Sequence, residues 1–146
     1  MQEHIQNELA SFIANCDWEK IAPHFKEDAA YRVLDWIGCA VAGEHYPQVE
    51  IAQKYFIENG DQGNSTVIGH QTKCSPRTAA FLNGIAGHVC ELDDGHRTAI
   101  GHPGSIAVPT ALALGEHLNA SGADVLKAVI LGYEVFSRLG RTVNPS

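Results

Sequence analysis

The chain has 146 residues and a mass of 15.8 kDa, with 45% hydrophobic and 18% charged residues and a formal net charge of −7. That is enough chain for one globular core. Ten Lys+Arg against 17 Asp+Glu, with no basic run, leave no surface for gripping a phosphate backbone and exclude nucleic acid as the expected partner. Uninterrupted apolar stretches such as Ile106 to Val108 and Val129 to Leu131 fall far short of the roughly 20 residues a membrane helix needs.

The opening MQEHIQNELASF puts polar and acidic residues where a signal peptide requires a basic and then an apolar run. The expected location is therefore cytoplasmic. Cys16, Cys39, Cys74 and Cys90 form no CxxC pair, so they are expected to be reduced and mostly buried thiols rather than a disulfide framework.

Ile5, Leu9, Phe12 and Ile13 recur at helical spacing and predict a short amphipathic helix over Ile5 to Cys16. After Pro23, the run from Glu27 to Gly43 predicts a helix with Ala30, Val33, Leu34, Ile37 and Val41 on its buried stripe and Gly43 at its end. Pro47 opens a third helix, with Val49, Ala52, Tyr55 and Phe56 inward and Asn59-Gly60 as the stop. From Asp61 to Ser75 the pattern changes: glycines punctuate a short β-branched run, Ser65-Thr66-Val67-Ile68, which predicts a small hairpin or an ordered loop.

Ser75-Pro76 then reads as an N-cap and first-turn proline, with Ala79, Leu82, Ile85, Ala86 and Val89 on the buried face. Ser105 caps a helix to about Leu118, with Ala107, Thr110, Ala111, Leu114 and Leu118 on one face and Pro109 confined to the first turn. Ser121 with Asp124 three residues on makes a weakened capping box for a last helix, which turns Val125, Val129, Gly132, Tyr133 and Phe136 to one side. Glycines inside these late helices cost about 1 kcal/mol each relative to Ala, a cost offset if helices pack backbone to backbone there. The pattern predicts a single all-α domain over 1–146, a helical bundle with at most one small β-hairpin.

The chemistry gathers between two of these helices. Residues 88–105 hold His88, Glu91, Asp93, Asp94, His96, Arg97 and His102, far more titratable groups than a plain connection of two to eight residues requires. Gly104 and Ser105 open a helix whose free N–H groups can receive a carboxylate, and Arg97 can clamp one in bidentate fashion. His102, two residues before that helix, is the first choice for a general acid or base. Asp93 and Asp94 diverge by about 100° on a helix, so at most one faces the same space as His102, fixing a histidine tautomer while the other caps or is solvated.

Other readings use the same residues. His88, in an otherwise apolar helix, fits a hydrogen-bonded structural role, Asp93-Asp94 a local turn, His102-Pro103-Gly104 the turn before a capped helix, and His96 with Arg97 a solvated surface. His88, Asp93, Asp94, His96 and His102 are all ligand types, which allows a metal-dependent hydrolase. A non-catalytic helical interaction module is the third possibility.

Leu82-Asn83-Gly84, His88, Glu91-Leu92-Asp93-Asp94, His102-Pro103, Gly132-Tyr133-Glu134-Val135 and Arg138-Leu139-Gly140-Arg141 occur in this order. Together with Asp35-Trp36-Ile37-Gly38-Cys39-Ala40-Val41-Ala42-Gly43, this set resembles the N-terminal helical region of the MmgE/PrpD family. That family includes 2-methylcitrate dehydratase and cis-aconitate decarboxylase, with epimerases among its relatives. The resemblance implies a helical domain facing a smaller α+β lid, a cleft active site, a homodimer, and catalysis with no cofactor, in particular no iron–sulfur cluster. It also implies that this chain is the N-terminal fragment of a longer enzyme, lacking the lid and the later catalytic His, Lys and Tyr, and inactive alone.

Carried over, His102 matches the family's active-site histidine, and Asp93 and Asp94 match its paired aspartates. Glu91 stands where the family usually has Asp, Gly95 where Thr often follows, and His96-Arg97 replace an aromatic residue and a proline. The expected substrate is a small di- or tricarboxylate, bound with the help of Glu91, His96, Arg97, Gly104 and Ser105. The expected chemistry is proton abstraction next to a carboxylate, leading to dehydration, decarboxylation or epimerisation, with the developing negative charge held by groups already in place.

Overall fold

The computed structural model describes residues 2–143; the Asn144-Pro145-Ser146 end lies outside the described residues. Helix α1 spans Gln2–Ala14, and a single 3-10 turn, Trp18–Lys20, leads into α2, Pro23–Gly43. Then follow α3, Pro47–Glu58; α4, Pro76–His88; α5, Gly104–Leu118; and α6, Gly122–Val143. The architecture is all-α. Two isolated antiparallel bridges, Ser65 with Cys74 and His96 with Gly101, are the β structure among the described residues. The Asp61 to Ser75 segment is thus an ordered loop, closed by one bridge.

Local chemistry sets the helix ends. Pro23, Pro47 and Pro76 each sit in a first turn, where a missing N–H costs nothing. The Ser75 hydroxyl accepts from the Thr78 N–H, and the Ser121 hydroxyl accepts from the Asp124 N–H while donating to its carboxylate, a hydroxyl cap in place of the full reciprocal box. Asn119 ends α5 in the left-handed conformation at φ 52°. Pro109 lies inside α5, beyond its first turn, because that helix already starts at Gly104. Gly84 of α4 faces the Ser105 carbonyl and the Pro109 ring, so α4 comes close where the proline interrupts the hydrogen-bond ladder.

The core lies where α2, α4, α5 and α6 meet. Trp36, Ala40, Val49, Ala86, Val108 and Val129 form its main cluster, and Val67, Cys74, Ala79, Leu82 and Ala113 form a second one under the 61–75 loop. Close approach depends on glycines. A Cβ on Gly87 would run into the indole ring of Trp36, and one on Gly43 into the Ala86 carbonyl.

Three expectations change. The buried stripe of α2 is Ala29, Trp36, Cys39, Ala40 and Gly43; Ala30, Leu34 and Val41 are exposed because the partner helices cover the Trp36 side of a helix whose second half carries apolar residues on both sides. In α3, Tyr55 is exposed while Val49 is buried. The expected α5 face of Ala107, Thr110, Ala111, Leu114 and Leu118 lines an open apolar groove shared with α6, whereas Val108, Pro109 and Ala113 turn into the protein. Helix α1 leaves Ile5, Phe12 and Ile13 exposed. The described cysteines are all free thiols, with Cys39 and Cys74 buried and Cys16 and Cys90 only half-buried.

Candidate active site

The 89–103 connection is folded back by backbone geometry rather than by length. Just beyond the end of α4, the Glu91 N–H bonds the His88 carbonyl at 2.8 Å, and Glu91 takes φ 50°, a left-handed conformation uncommon for a residue with a side chain. This reversal returns Asp93 beneath His88. A second tight turn, closed by the His96 N–H on the Gly101 carbonyl at 2.8 Å and with Ile100 at φ 44°, delivers His102 and then α5.

Asp93 is the centre of the arrangement. Its side chain is 1% exposed, and a buried carboxylate must have partners. It has three: His88 Nδ1 at 3.0 Å from Oδ1, the Ser105 hydroxyl donating to Oδ2 at 2.5 Å, and His102 Nδ1 at 3.3 Å from Oδ2. Burial pushes the Asp93 carboxyl up, but the Ser105 hydroxyl and the two imidazoles outweigh it and hold the group below the usual aspartate range. The two imidazole rings lie 4.7 Å apart at 59°. His102 Nδ1 is itself buried and lacks an aligned hydrogen bond, while both rings remain partly open on their outer side.

That outer side is a cavity of about 740 Å³, lined by His88, His102 and Ser105 together with Phe81, Ile106 and Phe136. Its walls are mostly apolar with a few polar groups among them, the usual make-up of a small-molecule site.

Asp94 turns the other way. Its Oδ1 accepts the Gly104 N–H at 3.1 Å and its Oδ2 takes Arg32 of α2 at 2.9 Å. Arg32 also bonds Asp28 at 2.7 Å and lies over the Tyr133 ring, 5.0 Å from its centre. Burial and the neighbouring Asp94 carboxylate push the Tyr133 phenol well above its ordinary value. The N–H of Gly104, expected to receive a substrate carboxylate, is therefore held by the protein's own Asp94.

The remaining expected residues stand apart from the cavity wall. The Glu91 backbone builds the turn and its side chain is exposed. His96 Nδ1 accepts the Ala99 N–H at 3.1 Å, a bond internal to its own turn, so it neither contacts Asp93 nor lines the cavity. Arg97 is exposed and makes no ion pair among the described residues. Of the five metal-ligand types, only His88, Asp93 and His102 come together; Asp94 is engaged by Arg32 and His96 by its own turn.

Sequence reasoning had set His88 aside as structural. Its position five residues before Asp93 was the available signal, readable only once the chain reverses at Glu91. Arg32 and Tyr133 carried no comparable signal, since Arg32 is 62 positions from Asp94.

The sequence pattern of the MmgE/PrpD N-terminal domain matches residues 7–146. The chain is 31% identical over 144 residues to the cis-aconitate decarboxylase-like protein oryM of Aspergillus oryzae, covering 94% of this chain and 30% of that protein. It is 32% identical over 144 residues to a cis-aconitate decarboxylase of Aspergillus terreus, covering 95% of this chain and 29% of the relative. To the Homo sapiens cis-aconitate decarboxylase it is 35% identical over 112 residues, 73% of this chain and 23% of the relative. The chain thus spans less than a third of the length of each of these relatives. Matched almost from end to end, this chain belongs to the MmgE/PrpD family.

Proposed function

We propose that the site belongs to a lyase acting on a small di- or tricarboxylate, and that its first chemical step is removal of a proton from a carbon next to a carboxylate. The observation that carries this reading is the buried Asp93 carboxylate, which holds two imidazoles and a serine hydroxyl at the mouth of the cavity. The similarity to proteins named cis-aconitate decarboxylase favours a tricarboxylate and decarboxylation over dehydration or epimerisation; there the electron pair left on the carbon skeleton as CO2 departs takes a proton, which the imidazole returns.

Each residue has a task in this mechanism. Asp93 orients the imidazoles by taking their Nδ1 side, leaving each Nε2 for the cavity. His102 exchanges the proton with substrate, and a positioned imidazole supplies about 10²- to 10⁴-fold of rate. His88, on the same carboxylate with its ring 4.7 Å from that of His102, is placed to share that proton transfer from the same side of the bound molecule. The Ser105 hydroxyl keeps Asp93 ionised and fixed. Arg32 and Asp94 hold the start of α5 in register with the loop.

The cationic groups that would bind a polyanion beyond this cluster belong, in this reading, to the longer protein of which the chain is the N-terminal domain, since the relatives run far past the matched segment. On its own the domain is inactive. No cofactor enters the mechanism, and the protein works in the cytoplasm. The open apolar groove between α5 and α6, about 670 Å³ and flanked by exposed Ile106, Leu114, Leu118 and Leu139, supports a homodimer, because an apolar surface of that kind marks an interaction site.

The test is turnover by the full-length protein in deuterated water with a panel of di- and tricarboxylates, followed by proton NMR. Loss of CO2 or water from one of them, with solvent deuterium entering next to a carboxylate, is the expected result. A panel that neither reacts nor exchanges overturns the reading.

A further inference from the structure

The geometry points to a transition-metal capture site at His88, Asp93 and His102, taking a divalent cation of the zinc, cobalt or iron(II) class. Ligand atoms of these three residues all lie within 4.8 Å of one another. Around a tetrahedral ion with ligand distances of about 2.0–2.1 Å, neighbouring ligand atoms stand about 3.3–3.4 Å apart. Here one oxygen, Asp93 Oδ2, lies 3.2 Å from His88 Nδ1 and 3.3 Å from His102 Nδ1, so both carboxylate–imidazole edges are near the required length before any ion arrives.

A second observation points the same way. His102 Nδ1 is buried, has no aligned hydrogen bond and meets the carboxylate only at an oblique 3.3 Å, a lone nitrogen that a metal would satisfy better. The ligand set decides the class of ion. Two imidazoles with one carboxylate suit zinc, cobalt or iron(II), whereas magnesium and calcium prefer an all-oxygen shell. The Ser105 hydroxyl on Asp93 Oδ2 supplies the outer hydrogen bond that ligating carboxylates use to stay oriented.

No bond is made or broken beyond coordination. The ion takes the Nδ1 lone pairs, and the ring protons reside on Nε2. An ion held there removes the imidazole that the proposed proton transfer uses, so it acts as an inhibitor; that consequence alone rests on the functional reading above, and the binding itself does not.

Cobalt titration of the chelator-treated, purified chain without substrate tests the site. The expected result is one Co2+ per chain with the intense visible bands of a four- or five-coordinate nitrogen–oxygen site, no thiolate-to-cobalt band, and full displacement by Zn2+. His88→Ala and His102→Ala should each weaken binding at least tenfold at unchanged helical circular dichroism, and Cys90→Ser should not weaken it. His88 is half exposed, so its variant keeps the test valid if His102→Ala fails to fold. A pale six-coordinate spectrum, a thiolate band, no binding, or affinity unchanged in the histidine variants overturns the proposal.

Discussion

Asp93 and Asp94 are neighbours in the chain and hold the start of α5 from two sides: Asp93 through the Ser105 hydroxyl at 2.5 Å, Asp94 through the Gly104 N–H at 3.1 Å. One carboxylate thereby joins the imidazole pair at the cavity, and the other locks the same helix end to α2 through Arg32. Position in the cleft and attachment to the scaffold are separated by a single peptide unit.

The Arg32–Asp94 pair should therefore act as a positioning clamp. Its side chains are 39% and 23% exposed, so the ion pair itself is modest, and a double-mutant cycle of Arg32→Ala with Asp94→Ala should give a coupling of about 1 kcal/mol. Asp94→Ala alone should cost about 1–3 kcal/mol, because it also strips the Gly104 N–H of its acceptor. Urea denaturation of the four proteins measures both quantities; a cycle that closes to zero removes the clamp.

Close packing of α2 on α4 gives a second expectation. A methyl at Gly87 meets the Trp36 indole and one at Gly43 meets the Ala86 backbone, so each Gly→Ala change should destabilise by about 1–3 kcal/mol, against the gain in helix propensity that Ala normally brings. Gly38, on the same helix as Gly43 and with open space around its Cβ position, should instead tolerate Ala or be stabilised by it. Thermal melts of the three variants give the order directly.

These packing contacts show what was legible in the sequence. Helix existence followed from Pro23, Pro47, Pro76, Gly43 and the Ser121–Asp124 cap, all local chemistry, although α2 starts at Pro23 itself rather than at the expected Glu27. The buried side of α2 did not, because Ala30, Leu34 and Val41 are as apolar as the residues that are covered, and only the glycine at position 87 on another helix decides that Trp36 goes inward. In the 89–103 loop, the density of titratable groups marked the segment as the candidate site, with His102 and Asp93 in it. The roles of His88 and Arg32 depend on a left-handed turn at Glu91 and on a contact from α2, which no spacing in the chain records.

Acid should loosen the 61–75 loop. Asp61 is held below the usual carboxylate range chiefly by the Ser75 N–H at 2.9 Å. Burial pushes Glu116 up, but Lys73 and the Thr66 hydroxyl and N–H outweigh it and hold it low. Both folded values lie below the unfolded ones, about 3.9 for Asp and 4.3 for Glu, so the unfolded chain binds more protons in acid. The stability these groups add is fully present above about pH 5 and is lost as pH falls through the folded values. Melting temperature against pH should fall less steeply for Asp61→Asn and Glu116→Gln than for the parent; parallel curves would contradict the assignment.

His88 should matter to activity without carrying the whole step. In the full-length protein, His88→Gln should lower kcat more than it changes KM and should alter the shape of the kcat pH profile, because an imidazole on the shared Asp93 carboxylate is lost. A purely structural His88 would lower the melting temperature and leave the pH profile unmoved.

The central claim is that the Asp93-held imidazole of His102 moves the proton, and kcat of the full-length His102→Ala protein tests it most directly. The account predicts a loss of about 10²- to 10⁴-fold with helical content and melting behaviour intact; a loss below tenfold in a folded protein would contradict it.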